Sequence, residues 1–347
     1  MQFKVAVVIL NWNGSRYLKR FLPGVISHSQ NNGTGIFVAD NGSTDDSLLL
    51  LETSFKEVNV ITLTQNYGFA EGYNRALRQI NSEYFVLLNS DVEVTEGWLT
   101  PLVAFMDSHP AAAACAPKIR DFSRTSYFEY AGAAGGYIDR FGYPFCRGRV
   151  LSSVEVDQNQ YNGAMQVFWA SGACMFVRSS AYSRTGGLDN RFFAHMEEID
   201  LCWRFINNGY TVWSIPESKV FHVGGGTLPN NNPRKLYLNY RNSLFMLHKN
   251  LHSTELFLVL FVRILLDWLS ALAYLAGFKF NYAGSVCKAH CHYLKSITAL
   301  NHCRHSSPFR KLREIPQVFP KSILFEFFVL KHKKFSQLGN QKSVLPE

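Results

Sequence analysis

Apolar residues run without a break through KVAVVILN (4–11) and then recur every three or four positions in SRYLKRFLPGVIS. The first pattern predicts a strand buried on both faces, the second an amphipathic helix. The alternation repeats. GIFVAD (35–40) predicts a second strand that stops at Asn41-Gly42, and STDDSLLLLETSF a helix with a polar cap and acids in its first turn. NVITLT (59–64) and EYFVLLNSDVEV (83–94) predict a third and a fourth strand, followed by helices from AEGYNRALRQI and EGWLTPLVAFMDSH. Continuous apolar strands separated by helices indicate an α/β fold with a mostly parallel sheet covered on both faces. Such sheets bind ligands at the carboxyl ends of their strands. Here those ends carry Asn11 and Asn13, Asp40, and Asn89 and Asp91.

Further along, the periodicity fades. Residues 110–165, with YAGAAGGYIDRFGYPFCRGR, are rich in glycine and aromatic side chains and read as an irregular insertion near the site. A helical pattern returns in FFAHMEEIDLCWR, through Ile199, Trp203 and Ile206, and Gly209 is its stop. TVWSIPESKVFHVGGG predicts two short strands ending at His222. After Arg241 the character changes. Residues 256–278 are apolar apart from Arg263 and Asp267, and at ~1.5 Å per residue they are long enough to cross a bilayer. Yet Arg263, Asp267, Ser270 and Tyr274 fall on one helical stripe. Each charge at mid-membrane would cost about 2.5–3.5 kcal/mol, which favours a helix lying on the membrane or packed on protein over a span. SILFEFFVLKHKKF joins an apolar aromatic run to a basic end, which also suits a lipid surface. The chain thus divides into residues 1–248 and a basic, apolar helical extension, 249–347.

Charge sharpens that division. Residues 279–334 hold 11 Lys and Arg against two acids, which accounts for the whole net charge of +9. These cations are interleaved with long apolar runs, so they point to an anionic membrane surface and not to nucleic acid. Seven cysteines, an odd number without a C-x-x-C pair, fit reduced thiols in a cytosolic setting. The first apolar run ends at Asn11, Trp12 and Asn13 with no small-residue cleavage site after it. It therefore reads as a strand and implies a cytoplasmic chain. In CKAHCHYLKSITALNHCRH (287–305), Cys287 and Cys291 share a helical face, so zinc is conceivable, but the spacing matches no zinc finger.

Four constellations carry chemistry. VADNGSTDDS places Asp40 at the end of a strand, either as a turn former or as a ligand contact. In LLNSDVEV, Asn89 and Asp91 lie two apart on a strand, so their side chains point the same way and could hold a divalent ion against phosphate oxygens. In MEEID, Asp200 can pair with Arg204 one helical turn on, leaving Glu197 or Glu198 free. Crowded carboxylates raise at least one pKa, as a general base requires. In FHVGGGT, His222 could bind metal while the glycines let the backbone approach phosphate.

In this order the four resemble the family-2 glycosyltransferases, over roughly residues 3–248, and most closely the rhamnosyltransferase-like branch of bacterial surface-polysaccharide enzymes. NYGFAEGYN (66–74) and GGLDNRFF (186–193) also look like connecting motifs of that family. The resemblance implies a Rossmann-like nucleotide-sugar fold of the A type, with the C-terminal helices as a membrane-associating extension. It implies donor contacts from Asn11, Asn13, Asp40, Asn66, Asn74, Asn89 and Asp91. A divalent metal, Mn2+ or Mg2+, would be held by Asp91 and His222. Glu198 would be the base with Glu197 as its understudy, and Asp200 with Arg204 structural support. The implied reaction is inverting transfer of one sugar from a UDP- or dTDP-sugar to a glycan or lipid-linked glycan, on the inner face of the cytoplasmic membrane. One departure stands out: the first position of the family's D-x-D motif is Asn89, a neutral ligand at best.

The rivals lack their signatures. A dinucleotide-dependent oxidoreductase needs G-x-G-x-x-G after the first strand, where NWNGSRY stands. No P-loop is present, nor the Q-x-x-R-W motif of processive synthases. Asn89 leaves a non-catalytic nucleotide-sugar-binding protein as the alternative.

Overall fold

The computed structural model describes residues 2–30, 33–224, 232–304 and 308–339. The N-terminal alternation runs β1 (Phe3–Asn11), α1 (Ser15–His28), β2 (Thr34–Asn41), α2 (Ser47–Ser54), β3 (Asn59–Leu63), α3 (Gly68–Leu77) and β4 (Ser82–Asn89). These four strands are parallel neighbours in the order β4-β1-β2-β3. Val5 to Ile9 are buried along β1, because helices cover both faces of the sheet.

The next elements are β5 (Val92–Val94), α4 (Leu99–Ser108) and β6 (Ala112–Asp121). EYFVLLNSDVEV is therefore two strands joined by a turn at Ser90-Asp91, not one. The turn moves the chain off β4, and β5 pairs with a strand from much later in the sequence. A second, smaller sheet follows: β7 (Gly136–Asp139), β8 (Pro144–Cys146), β9 (Arg149–Val150) and β10 (Ser153–Val154). Residues 110–165 are thus not an irregular insertion. The alanine-rich β6 occupies the middle of the main sheet, where only small side chains break the apolar pattern that betrays a strand.

The main sheet is completed by β11 (Met165–Val167), β12 (Cys174–Arg178) and, beyond α5 (Ser179–Arg184) and α6 (Glu197–Asn207), by β13 (Thr211–His222). The full order is β11-β13-β6-β12-β4-β1-β2-β3 with β5 on β13. β12 runs antiparallel to both its neighbours, so this half of the sheet is mixed. β13 is one long strand. The two short strands expected here are one, interrupted in register by a bulge between Ile215 and Lys219, which spares the sheet the missing N–H of Pro216.

Three helices follow: α7 (Pro233–Asn250), α8 (Ser253–Ala276) and α9 (Phe280–Arg304). Then β14 (Val318–Phe319) pairs with β7, so the C-terminal segment closes the second sheet, and α10 (Ile323–Phe328) and a short 3-10 turn (Phe335–Leu338) follow. A boundary after residue 248 falls within the last turn of α7. The polar stripe of α8 faces inward: Arg263 lies 3.7 Å over the Tyr143 ring, and Asp267 accepts from His290 at 3.2 Å. The outer face of α8 is apolar and exposed, from Phe257 to Leu275.

Candidate active site

The carboxyl edge of the parallel strands is laced by short polar side chains. Asn11 and Asp40 are both fully buried, and Asn11 donates to Asp40 (3.1 Å) and to Ser43 Oγ (3.2 Å). The Ser43 N–H donates to the other Asp40 oxygen at 3.0 Å. Asn13, at φ 50°, accepts from the Thr44 N–H at 2.7 Å, binding the loop after β1 to the loop after β2. Asn66 accepts from the Gly68 N–H (2.8 Å) and from Asn41 (3.2 Å), while Asn41 also takes the Tyr67 N–H (3.0 Å). Asn41 was legible only as a turn residue. Asn74 sits apart from this edge. Its amide donates to the Leu188 carbonyl (2.7 Å) and accepts from the Tyr182 hydroxyl (2.7 Å), which commits it to holding the loop before α6.

At the β4–β13 end, the Ser90-Asp91 turn sets Asp91 beside His222, with Val92 in register with His222 itself. His222 Nε2 stands 3.2 Å from Asp91 Oδ1 and 3.5 Å from Asn89 Nδ2. The three side chains therefore meet, although Asp91 lies in a turn and not on the strand of Asn89. A further carboxylate, Glu129, faces His222 from the other side, with Oε1 3.4 Å from Nδ1. Glu129 lies in the stretch without periodicity, and nothing in the sequence marked it. Burial alone would lower the His222 pKa, but Asp91 and Glu129 outweigh it and lift the imidazole to about 10. Asp91 and His222 are the side chains that could hold a divalent ion, which would have to displace the imidazole proton while Glu129 meets the other ring nitrogen. Among the described residues no group of three or more His, Cys, Asp or Glu is arranged to hold a metal. Gly224 is the last described residue of FHVGGGT; 225–231 lie outside the described residues.

The carboxylate cluster lies beyond Ala173, whose carbonyl accepts the Asn89 N–H at 3.0 Å. Next to it, a Cβ built on Gly172 would stand 3.7 Å from Glu198 Cβ, so the Asn89 end of β4 and the acids adjoin through two residues. Phe193, His195 and Met196 precede α6 with φ of 63°, 72° and 72°, a run that non-glycine residues hold only under constraint. The constraint comes from α7. Asn242 donates to the carbonyls of Phe192 (3.0 Å), Ala194 (2.8 Å) and His195 (2.7 Å), and Arg241 to those of Arg191 and Phe192. Burial and the Glu198 charge push Glu197 far above the carboxylate range. Burial also lifts Glu198 to about 7, against the pull of backbone N–H groups at the helix start. Glu198 has one oxygen without a hydrogen-bond partner, as does Glu197.

Asp200 is paired with Arg204 at 2.9 Å, and Arg204 also donates to the carbonyls of Thr185 and Gly187. The sequence did not reveal its other partners, Lys249 and Asn250, each at 2.8 Å from the second oxygen. Burial raises the Asp200 pKa, but Lys249 and Arg204 more than reverse that and keep it ionised. Of the cysteine and histidine residues of α9, His290 meets Asp267, His292 meets Tyr237 and Cys303 meets Arg191, while His305 lies outside the described residues.

The family profile of glycosyl transferase family 2 matches residues 6–183. An N-acetylglucosaminyl-diphospho-decaprenol L-rhamnosyltransferase of Mycobacterium tuberculosis is 26% identical over 230 residues, covering 62% of this chain and 75% of its own. Rhamnosyltransferase WbbL of Escherichia coli is 24% identical over 226 residues, covering 63% of this chain and 83% of its own. The fold is similar to S. aureus TarS 1–349 in complex with UDP-GlcNAc, with a TM-score of 0.56 at 14% identity over 87% of this chain and 84% of that one. It is also similar to GalNAc-T7 with UDP, GalNAc and Mn2+, with a TM-score of 0.57 at 14% identity over 88% of this chain and 58% of that one. Given the profile match over half its length and the rhamnosyltransferase relatives, the chain belongs to glycosyl transferase family 2 and is a glycosyltransferase using nucleotide-sugar donors.

Proposed function

We propose that this enzyme transfers a single sugar, with inversion, from a UDP- or dTDP-sugar to a lipid-linked glycan in surface-polysaccharide synthesis, at the inner face of the cytoplasmic membrane. The observation that carries the reading is the adjacency of two opposite chemistries: a cation-seeking pair, Asp91 and His222, and a partner-poor carboxylate, Glu198. The donor's diphosphate lies at the first and the acceptor hydroxyl at the second. Asp91 and His222, with Asn89 beside them, would hold a divalent ion, which supplies Lewis-acid neutralisation of the leaving diphosphate. Asn11, Asp40 and the 41–44 turn form the wall that receives the nucleoside. Glu198, lifted to about 7, takes the acceptor's proton as the new bond forms, and protonated Glu197 spares it a second charge. One base without a covalent partner gives single displacement.

The membrane placement rests on α8 and α10. Phe257 (81% exposed), Phe261, Leu265, Leu269 and Leu272 form one bare apolar face on α8, followed in the chain by exposed Phe278 (82%), and Phe325 and Phe328 are bare on α10. Exposed Lys279 follows the first and exposed Lys331, Lys333 and Lys334 follow the second, the pairing that anionic headgroups require. α8 is long and apolar enough to cross a bilayer, but a span would have to detach buried Arg263 and Asp267 from their partners.

The test is release of nucleotide diphosphate from a donor panel, with Mn2+, Mg2+ or chelator, and NMR of the product's anomeric configuration. Metal-dependent release from one donor and an inverted product are expected. Release unaffected by chelator, or retention, would overturn the mechanism. Leu265→Glu with Leu272→Glu should abolish sedimentation with phosphatidylglycerol vesicles while sparing donor turnover; unaltered sedimentation would refute the docking face.

A further inference from the structure

Between the turn at Arg191, α7 and α9 lies a recess of about 320 Å3, lined by Arg191, Arg241, Phe245, His292 and Lys295 with Ser296, Ala299 and Leu300. It is at the small end of ligand pockets, which span about 300–1,000 Å3. Its floor is apolar and its rim cationic, and no carboxylate lines it. Arg191 is balanced by Asp189 at 2.8 Å, but among the described residues the Arg241 guanidinium donates to neutral acceptors alone: the Asn242 amide, the Tyr237 hydroxyl and the carbonyls of Arg191 and Phe192. Lys288 lies over the Tyr237 ring, and Lys295 stands two turns further along the same face of α9 with no hydrogen bond or ion pair among the described residues. His292 reports the field these cations create. Burial first, then Lys288, Arg241 and Lys295, lower its pKa. These cations, with no acid among the lining side chains, are what an anion would meet in the recess.

The position narrows which anion. α9, which lines the recess, packs on α8 and touches it through His290, so the recess lies one helix away from the apolar face proposed to meet lipid. On the inner side, Arg241 holds the carbonyls of the loop that enters α6, and Glu198 follows Phe192 by six residues, within ~20 Å even for an extended chain. The recess is therefore bounded by the lipid-facing helices on one side and the base-bearing loop on the other.

We propose that the recess is a binding site for the phosphates of a lipid diphosphate, and that it anchors the diphosphate of the acceptor while the sugar beyond it reaches Glu198. The inference rests on the reading that the acceptor is lipid-linked. A membrane phospholipid offers the same phosphate chemistry, and the test separates the two.

The probe is farnesyl diphosphate, titrated calorimetrically into the full chain in chelator, with farnesol as the uncharged control and phosphatidylglycerol vesicles as a separate arm. Lys295→Glu, a change at an exposed side chain, should weaken farnesyl diphosphate at least tenfold. Lys295→Arg should restore it, farnesol should not bind at the site, and vesicle binding should be unaltered. Unchanged farnesyl diphosphate affinity in both Lys295→Glu and Lys288→Glu would overturn the proposal. So would selective loss of vesicle binding, which would make a phospholipid headgroup the occupant. Donor turnover on the same samples keeps the two readings apart. Silence of the parent enzyme on every donor would count against the transferase mechanism, whereas the lipid-diphosphate result would stand on its own.

Discussion

Glu198→Gln should be inactive and, above neutral pH, more stable than the parent. Burial lifts the Glu198 carboxyl from an ordinary 4.5 to about 7, with one oxygen unpartnered. Between these values the folded chain binds more protons than the unfolded one. The stabilisation from the protonated form is complete below pH 4.5 and is lost as pH rises through 7. At ~1.36 kcal/mol per pKa unit the ceiling is ~3 kcal/mol, and residual solvent contact together with shared titration with Glu197 reduces this to ~1–2 kcal/mol. Glutamine keeps the shape without the charge. Urea unfolding at pH 5 and pH 8.5 should therefore show the variant gaining on the parent only at the higher pH. Transfer should fall by ~10²–10⁴, the usual worth of a general base, and the parent's rate should decline below about pH 7. Turnover near that of the parent would remove Glu198 from the mechanism. An equal midpoint difference at both pH values would show that the carboxylate is not held charged against its surroundings.

The neighbouring residues give equally definite expectations. Glu129→Gln should weaken the divalent ion about 10–100-fold by loosening the ring of His222, read as a rightward shift in the Mn2+ dependence of nucleotide release; an unshifted curve would refute the orienting role. Asn242→Ala strips three donor contacts from the strained loop and should cost ~2–3 kcal/mol, with kcat falling more than donor KM rises. Lys249→Met leaves buried Asp189 and Asp200 short of a cation and should destabilise by ~3–5 kcal/mol at neutral pH. Both acids are held below their ordinary 3.8, so what Lys249 contributes is present above that value and lost in acid. The gap between variant and parent should close as pH falls below about 4. A gap independent of pH would point to packing alone.

What could be read from the chain followed the reach of local pattern. β1 to β4 were legible because strands buried on both faces leave long apolar runs, and helix α6 because Ile199, Trp203 and Ile206 keep its period. β6 was not, since AAAACAPKIRD owes its strand to neighbours on either side rather than to its own composition. The pairing of Asp200 with Arg204 was accessible, being one helical turn apart; Lys249 and Asn250, some fifty positions away, were not. Glu129 shows the same limit. A carboxylate that faces a histidine 93 positions later across the site leaves no periodic trace, although it does more than any nearby residue but Asp91 to set the charge of His222.

Four of the missed residues share a location, and it bears on how the site is built. Arg241, Asn242, Lys249 and Asn250 all belong to α7. Asn242 fixes the backbone that turns into the Glu197-Glu198 helix, and eight residues on, the end of α7 fixes Asp200 inside that helix. The same α7 packs along α9 and, through Arg241 and Phe245, forms one wall of the cationic recess. The proposed base is thus positioned from outside the main sheet, by the helix that leads into α8 and α9, the helices proposed to meet lipid. A displacement of α7 by even a fraction of an ångström would be felt first at Phe193, His195 and Met196, whose left-handed backbone persists only while Arg241 and Asn242 hold it. On the proposed mechanism, acceptor binding at the membrane side and alignment of Glu198 would be mechanically one event, whereas the edge at Asp40, Asp91 and His222 is built by strands that α7 does not touch through any of these contacts.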